Sequence, residues 1–248
     1  MIEHISVTTS TNDDAKDLRY VEGDIIWADR QTAGRGQRGH QWESREGENL
    51  TFSLLFEPTF LPANKQFLLS EAVALALVDL MAEYGIDARI KWTNDIYVGD
   101  KKLVGILIEH IYTGGSLSRT IVGIGINVNQ SDFAPHLPNP VSMAQLSGQK
   151  YDLEQVLGHF ERIVFSRYEQ LRSGDEEGLQ SAYHSKLYGL DVPRTFALPD
   201  GTRFEAIIRG VKPMGDLLLE HTDGHVESYL FKEVEFVIDK GCRATEKQ

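Results

Sequence analysis

A nine-residue segment, residues 34–42, has the sequence GRGQRGHQW and combines three glycines, two arginines and a tryptophan. It contains no carboxylate, although the formal net charge of the whole chain is -12. Glycine permits positive φ and lets a ligand approach backbone N–H groups, and Arg35 and Arg38 can neutralise carboxylate or phosphate oxygens. The indole of Trp42 can stack on a flat ring. This segment, called the glycine loop below, therefore predicts a binding site for an anionic ligand.

The glycine loop also matches the dinucleotide fingerprint GxGxxG through Gly34, Gly36 and Gly39. That fingerprint requires a helix directly after the loop, within a parallel βαβ unit. Here the next residues are polar and lack a helical period, and residues 49–56 (NLTFSLLF) predict a strand. A P-loop is also disfavoured, because no GK[ST] follows the glycines. A glycine-rich turn with a purely structural role remains as an alternative to a binding loop.

Three further segments combine polar side chains with strand-like sequence or glycine. Residues 91–95 read KWTND, residues 101–105 read KKLVG and residues 123–129 read GIGINVN. Each is compatible with a purely structural role, as a polar strand end, a turn with solvated lysines or a weak strand. Glycines at alternate strand positions also indicate that a flat group or another backbone packs closely on that face, and Asn127 could read the edge of a base. Taken singly, none of the three decides between these interpretations.

The elements that must position these segments follow from hydrophobic periodicity and turn signals. Strand follows strand by short links, so we expect a mixed or antiparallel sheet, and the short β-like runs after Gly189 predict a small all-β module. The domains are predicted as 1–188 and 189–240, with a tail at 241–248. The predicted helices are 15–20, 64–84, one that begins at Asp152, and 176–187; the predicted strands are 24–28, 49–56, 88–92, a hairpin over 96–108, and 119–128.

The composition restricts the class of protein. With 248 residues, 41% of them hydrophobic, the chain suits one large domain with a small appendage. The acidic balance argues against sequence-independent nucleic-acid binding, and no stretch is long and apolar enough to span a bilayer. The single cysteine, Cys242, excludes an internal disulfide framework, and the eight histidines show no metal-ligand spacing. With no signal-peptide pattern, we expect a cytoplasmic monomer or homodimer without nucleic-acid or membrane partners.

Considered together, the candidate segments resemble one family. The order and spacing of STN at 10–12, QTAGRGQRG at 31–39 with Trp42, KWTND, KKLVGIL and GIGIN are similar to biotin protein ligases over residues 5–130. The resemblance implies an α+β fold with a mixed, largely antiparallel sheet and helices, of the class II synthetase-like type, plus a small C-terminal SH3-like β-barrel. Because only nine residues precede Ser10, we expect a short form without the DNA-binding domain that some members carry at the N-terminus.

The resemblance implies a two-step reaction. Biotin and ATP, with Mg2+ on the phosphates, give biotinyl-5'-AMP and pyrophosphate, and a specific lysine of a biotin carboxyl carrier protein then takes the biotinyl group. The residue types agree, because a carboxylate that attacks an anionic triphosphate needs fixed positive charge and N–H dipoles, which Arg35, Lys91, Lys102 and the loop can supply. A lipoate or octanoate ligase of the same fold and a non-catalytic biotin-binding regulator are the alternatives.

By the same resemblance, the family's site positions fall on named residues of this chain, with Lys102, Asp95 and Arg35 as the catalytic set. Ser10, Thr11 and Gln31 would bind the ureido head of biotin, and Trp42 would stack on adenine. No metal ligands are assigned to the protein. The full biotin set is Ser10, Thr11, Asn12, Gln31, Gly34, Arg35, Gly36, Gln37, Lys102 and Gly105; the ATP set is Arg38, Trp42, Lys91, Asn94, Gly123, Gly125 and Asn127.

Two residues depart from the family pattern. The family often has arginine where this chain has Gln37, and proline where it has Thr93. A charged hydrogen bond to phosphate contributes roughly 1.5 to 3 kcal/mol, so glutamine at this position would weaken binding of biotinyl-AMP about ten- to a hundred-fold unless another group substitutes. We expect Arg38 to compensate.

Overall fold

The larger of two sheets forms the centre of the molecule. The computed structural model describes residues 1–114 and 116–238, except for the side chain of Arg38. The strands of this sheet are β1 (Ile2–Thr8), β2 (Ile25–Gln31), β3 (Leu50–Phe56), β4 (Arg89–Lys91), β5 (Asp95–Val98), β6 (Lys101–Thr113) and β7 (Ser116–Ile126). Their order is β1-β2-β3-β7-β6-β5-β4, and every neighbouring pair is antiparallel except β1 with β2, which is parallel. The sheet is therefore mixed and largely antiparallel, as predicted.

The longer helices cover one face of this sheet. The five described α-helices are α1 (Thr11–Asp14), α2 (Phe67–Glu83), α3 (Met143–Ser147), α4 (Leu153–Arg172) and α5 (Glu176–Ser185). α2 packs against both α4 and α5, and twelve of its residues are buried because its sequence is apolar on nearly every side. Along β7, Val122, Ile124 and Ile126 belong to the core that α2 also enters. The alternating Gly123 and Gly125 consequently face the opposite side of the sheet.

A second, antiparallel sheet follows, consistent with an SH3-like domain. Its strands are β8 (Pro193–Ala197), β9 (Arg203–Val211), β10 (Leu217–His221), β11 (Val226–Tyr229) and β12 (Glu235–Phe236), in the order β11-β10-β9-β8-β12. It contacts the first sheet directly, since the Lys91 ammonium of β4 lies 4.8 Å from the ring centroid of Phe236 in β12. The domain boundaries at 188 and 240 stay predictions. The predicted tail, 241–248, lies outside the described residues.

Three elements were not predicted, and one was misplaced. These are β1, α3 and β12; β1 is recognisable only through its pairing with β2, whereas α3 has a capping box, formed by Ser142 and Gln145, that the sequence analysis missed. The first helix does not cover residues 15–20: it runs over Thr11–Asp14, with Ser10 as its extended N-cap residue. The first helix therefore lies immediately before the range predicted for it. None of the helices in the described part of the chain is both long and apolar enough to cross a membrane.

Candidate functional site

A cavity of about 680 Å³ lies on the sheet face opposite α2. Of the residues predicted for the site, Gly34 does not line it, the Arg38 side chain lies outside the described residues, and all the others line it. Strands, loops and the second sheet all contribute to its wall. The predicted residues that line it are Ser10, Thr11, Asn12, Gln31, Arg35, Gly36, Gln37, Trp42, Lys91, Asn94, Asp95, Lys102, Gly105, Gly123, Gly125 and Asn127.

One end of the cavity is a buried polar cluster formed by Ser10, Thr11, Asn12, Gln31 and Ser53. The Thr11 backbone N–H donates to Gln31 Oε1 at 2.8 Å. Ser53 Oγ lies 2.8 Å from Thr11 Oγ1 and 2.6 Å from Asn12 Oδ1. Ser10, Thr11, Asn12 and Ser53 are all buried, so the cluster presents fixed donors and acceptors in a dry environment. Ser53 was missed from sequence, although it is a polar residue in an otherwise apolar strand.

Gly123 belongs to this polar end. A Cβ at Gly123 would overlap Asn12 Oδ1, so glycine there provides the space that the Asn12 side chain occupies. From sequence, Gly123 was predicted to belong to the ATP-binding set. That assignment stays a prediction; in the structure Gly123 lies beneath Asn12, because it pairs with Ser53 of β3 on one side and Leu107 of β6 on the other.

Arg35 is bound to two carboxylates at the same end. Its Nη2 lies 2.9 Å from Glu109 Oε2 and 3.0 Å from Asp13 Oδ1, and its Nη1 lies 3.2 Å from Glu109 Oε1. The guanidinium is thus paired with two carboxylates next to the polar cluster, and the supply of positive charge to phosphates by Arg35 stays a prediction. The sequence analysis missed Glu109, although Glu109 lies on β6 on the same side of the strand as Gly105 and Leu107, which line the cavity.

The glycine loop folds back on itself. Trp42 N donates to the carbonyl of Gly34 at 2.9 Å, and Gly36 N donates to the carbonyl of His40 at 2.7 Å. A Cβ at Gly34 would lie 2.6 Å from the Trp42 carbonyl oxygen, which explains why glycine occurs there although it does not line the cavity. Gln37 lines the cavity at the start of a short 3-10 turn, Gln37–Gly39.

Trp42 lies against two glycines of the sheet. Gly105 of β6 and Gly125 of β7 are paired in register. A Cβ at Gly105 would lie 2.8 Å from Trp42 Cζ3, and one at Gly125 would overlap the indole at Cε2. One face of the indole is thereby packed directly on the backbone, so a flat ligand can stack on the other face only. Lys102 Nζ lies 5.8 Å from the centroid of this ring.

Lys102 and Asp95 form an ion pair across neighbouring strands. Lys102 Nζ lies 2.7 Å from Asp95 Oδ1, and the two side chains are 31% and 19% exposed, so neither is fully removed from solvent. Tyr97, buried beside them, has a pKa raised above its usual range, chiefly by burial and further by the negative charge of Asp95. The pair places a cation and a candidate proton acceptor at one point of the cavity wall.

The remaining residues of the KWTND segment are held by local bonds. The Lys91 ammonium lies 5.3 Å from the ring centroid of Tyr97 and 4.8 Å from that of Phe236. Asn94 Nδ2 donates to the carbonyl of Ile106, and Thr93 Oγ1 donates to Asn94 Oδ1 at 2.8 Å. These contacts fix the segment where β5 begins, at the edge of the cavity.

Asn127 supports the wall of the cavity. Its Nδ2 donates to the carbonyl of Val141 at 3.1 Å and lies 3.5 Å from that of Lys102. The Asn127 amide nitrogen therefore contacts two backbone carbonyls, and the recognition of a base edge by Asn127 stays a prediction. The neighbouring segment, residues 133–140, also contributes to the cavity wall and was not predicted to do so.

The second sheet closes another side. Phe231, Val234, Glu235 and Phe236 line the cavity, and the Phe231 ring lies edge-on to Trp92 at 6.3 Å between centroids. No sequence signal identified these residues, because their contribution depends on how the two sheets dock.

Comparisons with known proteins agree with this arrangement. Residues 2–127 match the model of the biotin/lipoate A/B protein ligase family. The chain is 34% identical to the bifunctional ligase/repressor BirA of Bacillus spizizenii, over 91% of this chain and 70% of that protein. It is 31% identical to the biotin--[acetyl-CoA-carboxylase] ligase of Paracoccus denitrificans, over 88% of this chain and 93% of that protein.

The fold has solved counterparts. The biotin protein ligase from Aquifex aeolicus, determined in complex with biotin and ATP, superposes with a TM-score of 0.82, covering 96% of this chain and 99% of that one at 24% identity. At this identity the superposition shows a shared fold. With the family model spanning half of the chain and relatives above 30% identity over most of it, this chain belongs to the biotin/lipoate A/B protein ligase family.

Proposed function

We propose that this chain is a biotin protein ligase. It activates biotin with ATP to biotinyl-5'-AMP and pyrophosphate, and it transfers the biotinyl group to a lysine of a biotin carboxyl carrier protein. The observation that carries the proposal is one cavity that joins a buried polar cluster to the Lys102–Asp95 pair beside Trp42. The relatives named biotin ligases support it.

The polar cluster suits the ureido head of biotin. A ureido group has one carbonyl acceptor and two N–H donors, so its site needs both donors and acceptors in fixed positions. The hydroxyls of Ser10 and Thr11 and the amide of Gln31 offer both. Because Ser10 and Thr11 are buried, a ligand without matching polar atoms would leave their hydroxyls unpaired, at a cost of about 1–3 kcal/mol for each.

Activation takes place at Lys102. A carboxylate oxygen of biotin attacks the α-phosphorus of ATP, and the bond from that phosphorus to the bridging oxygen breaks as pyrophosphate leaves. Both reactants are anionic, so a fixed ammonium lowers their repulsion and stabilises the charge that develops on the phosphoryl oxygens. Lys102 supplies this ammonium group, and Lys91 lies farther along the cavity wall toward the second sheet.

Transfer to the carrier uses Asp95. The incoming lysine amine must lose a proton as it attacks the acyl carbonyl of biotinyl-AMP, whereupon AMP leaves with its phosphate oxygen. Asp95 is the carboxylate that accepts this proton, and Lys102 beside it stabilises the departing phosphate.

Adenine stacks on the exposed face of Trp42, because the other face is packed on Gly105 and Gly125. Magnesium would neutralise charge on the departing phosphates. Magnesium prefers oxygen ligands, and the carboxylate at the cavity wall that would contact it beside the ATP phosphates is Asp95. The cytoplasmic location and the monomeric or dimeric state stay predictions from the sequence.

The test is biotinylation of a carrier domain. We expect mass spectrometry to show one added biotinyl group on one lysine after incubation with enzyme, biotin and ATP, and none when ATP is omitted. Parallel reactions with lipoate and octanoate separate the related ligases, since modification by either acid in place of biotin would contradict the proposal. Biotin binding without modification of the carrier would instead indicate a regulator.

A further inference from the structure

We propose that Glu109 is a positioning residue for biotin: its carboxylate fixes Asn12 and Arg35 and sets the direction of hydrogen bonding in the polar cluster. The inference rests on the proposed function, because the ligand of that cluster is taken to be the ureido head. Glu109 does not line the cavity, so it acts through residues that do.

The carboxylate is bound by two side chains from distant parts of the chain. Asn12 Nδ2 donates to Oε2 at 2.7 Å. Arg35 donates from Nη2 to Oε2 at 2.9 Å and from Nη1 to Oε1 at 3.2 Å, which is a bidentate pair. Glu109 on β6 therefore joins α1 to the glycine loop, and both of its partners line the cavity.

The contact also determines which way the Asn12 amide faces. An ionised carboxylate only accepts hydrogen bonds, so the Asn12 group next to Glu109 must be the NH2. Asn12 Oδ1 then faces Ser53 Oγ, 2.6 Å away, and must accept the single hydroxyl proton of Ser53.

The order of hydrogen-bond donors and acceptors extends from Ser53 to Thr11, which lines the cavity. With its proton given to Asn12, Ser53 Oγ offers only lone pairs to Thr11 Oγ1, 2.8 Å away, and Gln31 Oε1, 3.3 Å from Thr11 Oγ1, is a second acceptor for the Thr11 proton. The Thr11 proton then points into the protein, and its remaining lone pair is the one directed toward a ligand. Thr11 is thereby set as an acceptor for a ureido N–H, and the charge of Glu109 is the origin of this order.

Asp13 provides a matched control. Asp13 Oδ1 also accepts from Arg35 Nη2, at 3.0 Å, but within the described part of the chain no hydrogen bond joins it to Asn12. Glu109→Gln and Asp13→Asn each remove one negative charge next to the same guanidinium. Only the Glu109 variant removes the acceptor-only group that orients Asn12.

The experiment measures biotin binding by calorimetry and steady-state kinetics for the wild type and both variants. We expect Glu109→Gln to raise the Kd and the KM for biotin about tenfold, the effect of one lost charged hydrogen bond, with kcat and the KM for ATP unchanged. Asp13→Asn should raise the biotin Kd less than about threefold, as for an exposed ion pair. Glu109→Asp, which keeps the charge but shortens the reach, should weaken biotin in the same direction as Glu109→Gln.

The possible failures are distinguishable. If the wild type binds biotin but both Glu109 variants bind it within about twofold of the wild type, the inference is wrong and the proposed function stands. Equal losses of biotin affinity in Glu109→Gln and Asp13→Asn would also overturn it, since the removal of one negative charge next to Arg35 would then explain both losses. If the wild type binds no biotin, the proposed function and the inference fail together.

Discussion

Lys102 Nζ lies 2.7 Å from Asp95 Oδ1, and both side chains line the same cavity. The two residues come from adjacent antiparallel strands, β5 and β6, so the pair is fixed by backbone hydrogen bonds on either side. This geometry keeps a cation and a carboxylate together at the point where the acyl phosphate would form and react.

Removing the Lys102 ammonium should abolish activation. We expect Lys102→Ala to lose biotin-dependent exchange of pyrophosphate into ATP while its circular dichroism and thermal midpoint stay close to those of the wild type. Lys101→Ala is the matched control, because Lys101 is an exposed neighbour that does not line the cavity, and it should retain exchange. Near-normal exchange in Lys102→Ala would reject the assignment.

Adding a methyl group at Gly125 should displace Trp42. The new Cβ would overlap the indole, and such overpacking costs typically about 1–3 kcal/mol, so we expect the KM for ATP to rise roughly ten- to a hundred-fold with a shifted tryptophan emission spectrum. Gly158→Ala, in α4 with no heavy atom near its added Cβ, should change neither quantity. An unchanged KM for ATP in Gly125→Ala would contradict the stacking role of Trp42.

Retention of the intermediate tests the role of Arg38. We expect Arg38→Ala to release biotinyl-AMP faster than the wild type, because Gln37 lacks the charge that arginine would place there. The readout is the rate at which the intermediate appears in solution when no carrier is present, and Gln37→Arg should slow it. Equal and fast release from wild type and Arg38→Ala would show that Arg38 does not compensate.

Glu71 should make stability depend on pH. Burial in α2 raises the pKa of Glu71 from an ordinary 4.5 to about 8. Between these values the folded state holds a proton that the unfolded chain has released, so the free energy of unfolding falls as pH rises, by an amount on the order of a few kcal/mol.

Replacing Glu71 by glutamine removes this titration. We expect urea unfolding of Glu71→Gln to be less dependent on pH between about 5 and 8 than that of the wild type, with the largest gain in stability at the upper end. Glu154→Gln, an exposed position in α4, should follow the wild type. Parallel curves for Glu71→Gln and the wild type would show that Glu71 does not titrate in this range.

Local sequence was sufficient to predict most of the elements and most members of the site. Periodicity identified α2, α4, α5 and the hairpin of β5 and β6, because these depend on contacts between residues close in the chain. Motif order identified many of the residues that line the cavity, because this series of glycines, lysines and amides at fixed spacing is typical of one family.

Which of these residues meet depends on the packing of the whole chain. Strand order and register determine three features of the site. These are the partners of Arg35, the position of Gly123 beneath Asn12, and the contribution of the second sheet to the cavity wall. Those are fixed by packing between residues tens of positions apart, such as Asn12 and Glu109, and local periodicity carries no information about such pairs. The sequence could therefore indicate which residues form the site, whereas the fold was needed to determine which carboxylates neutralise which cations within it.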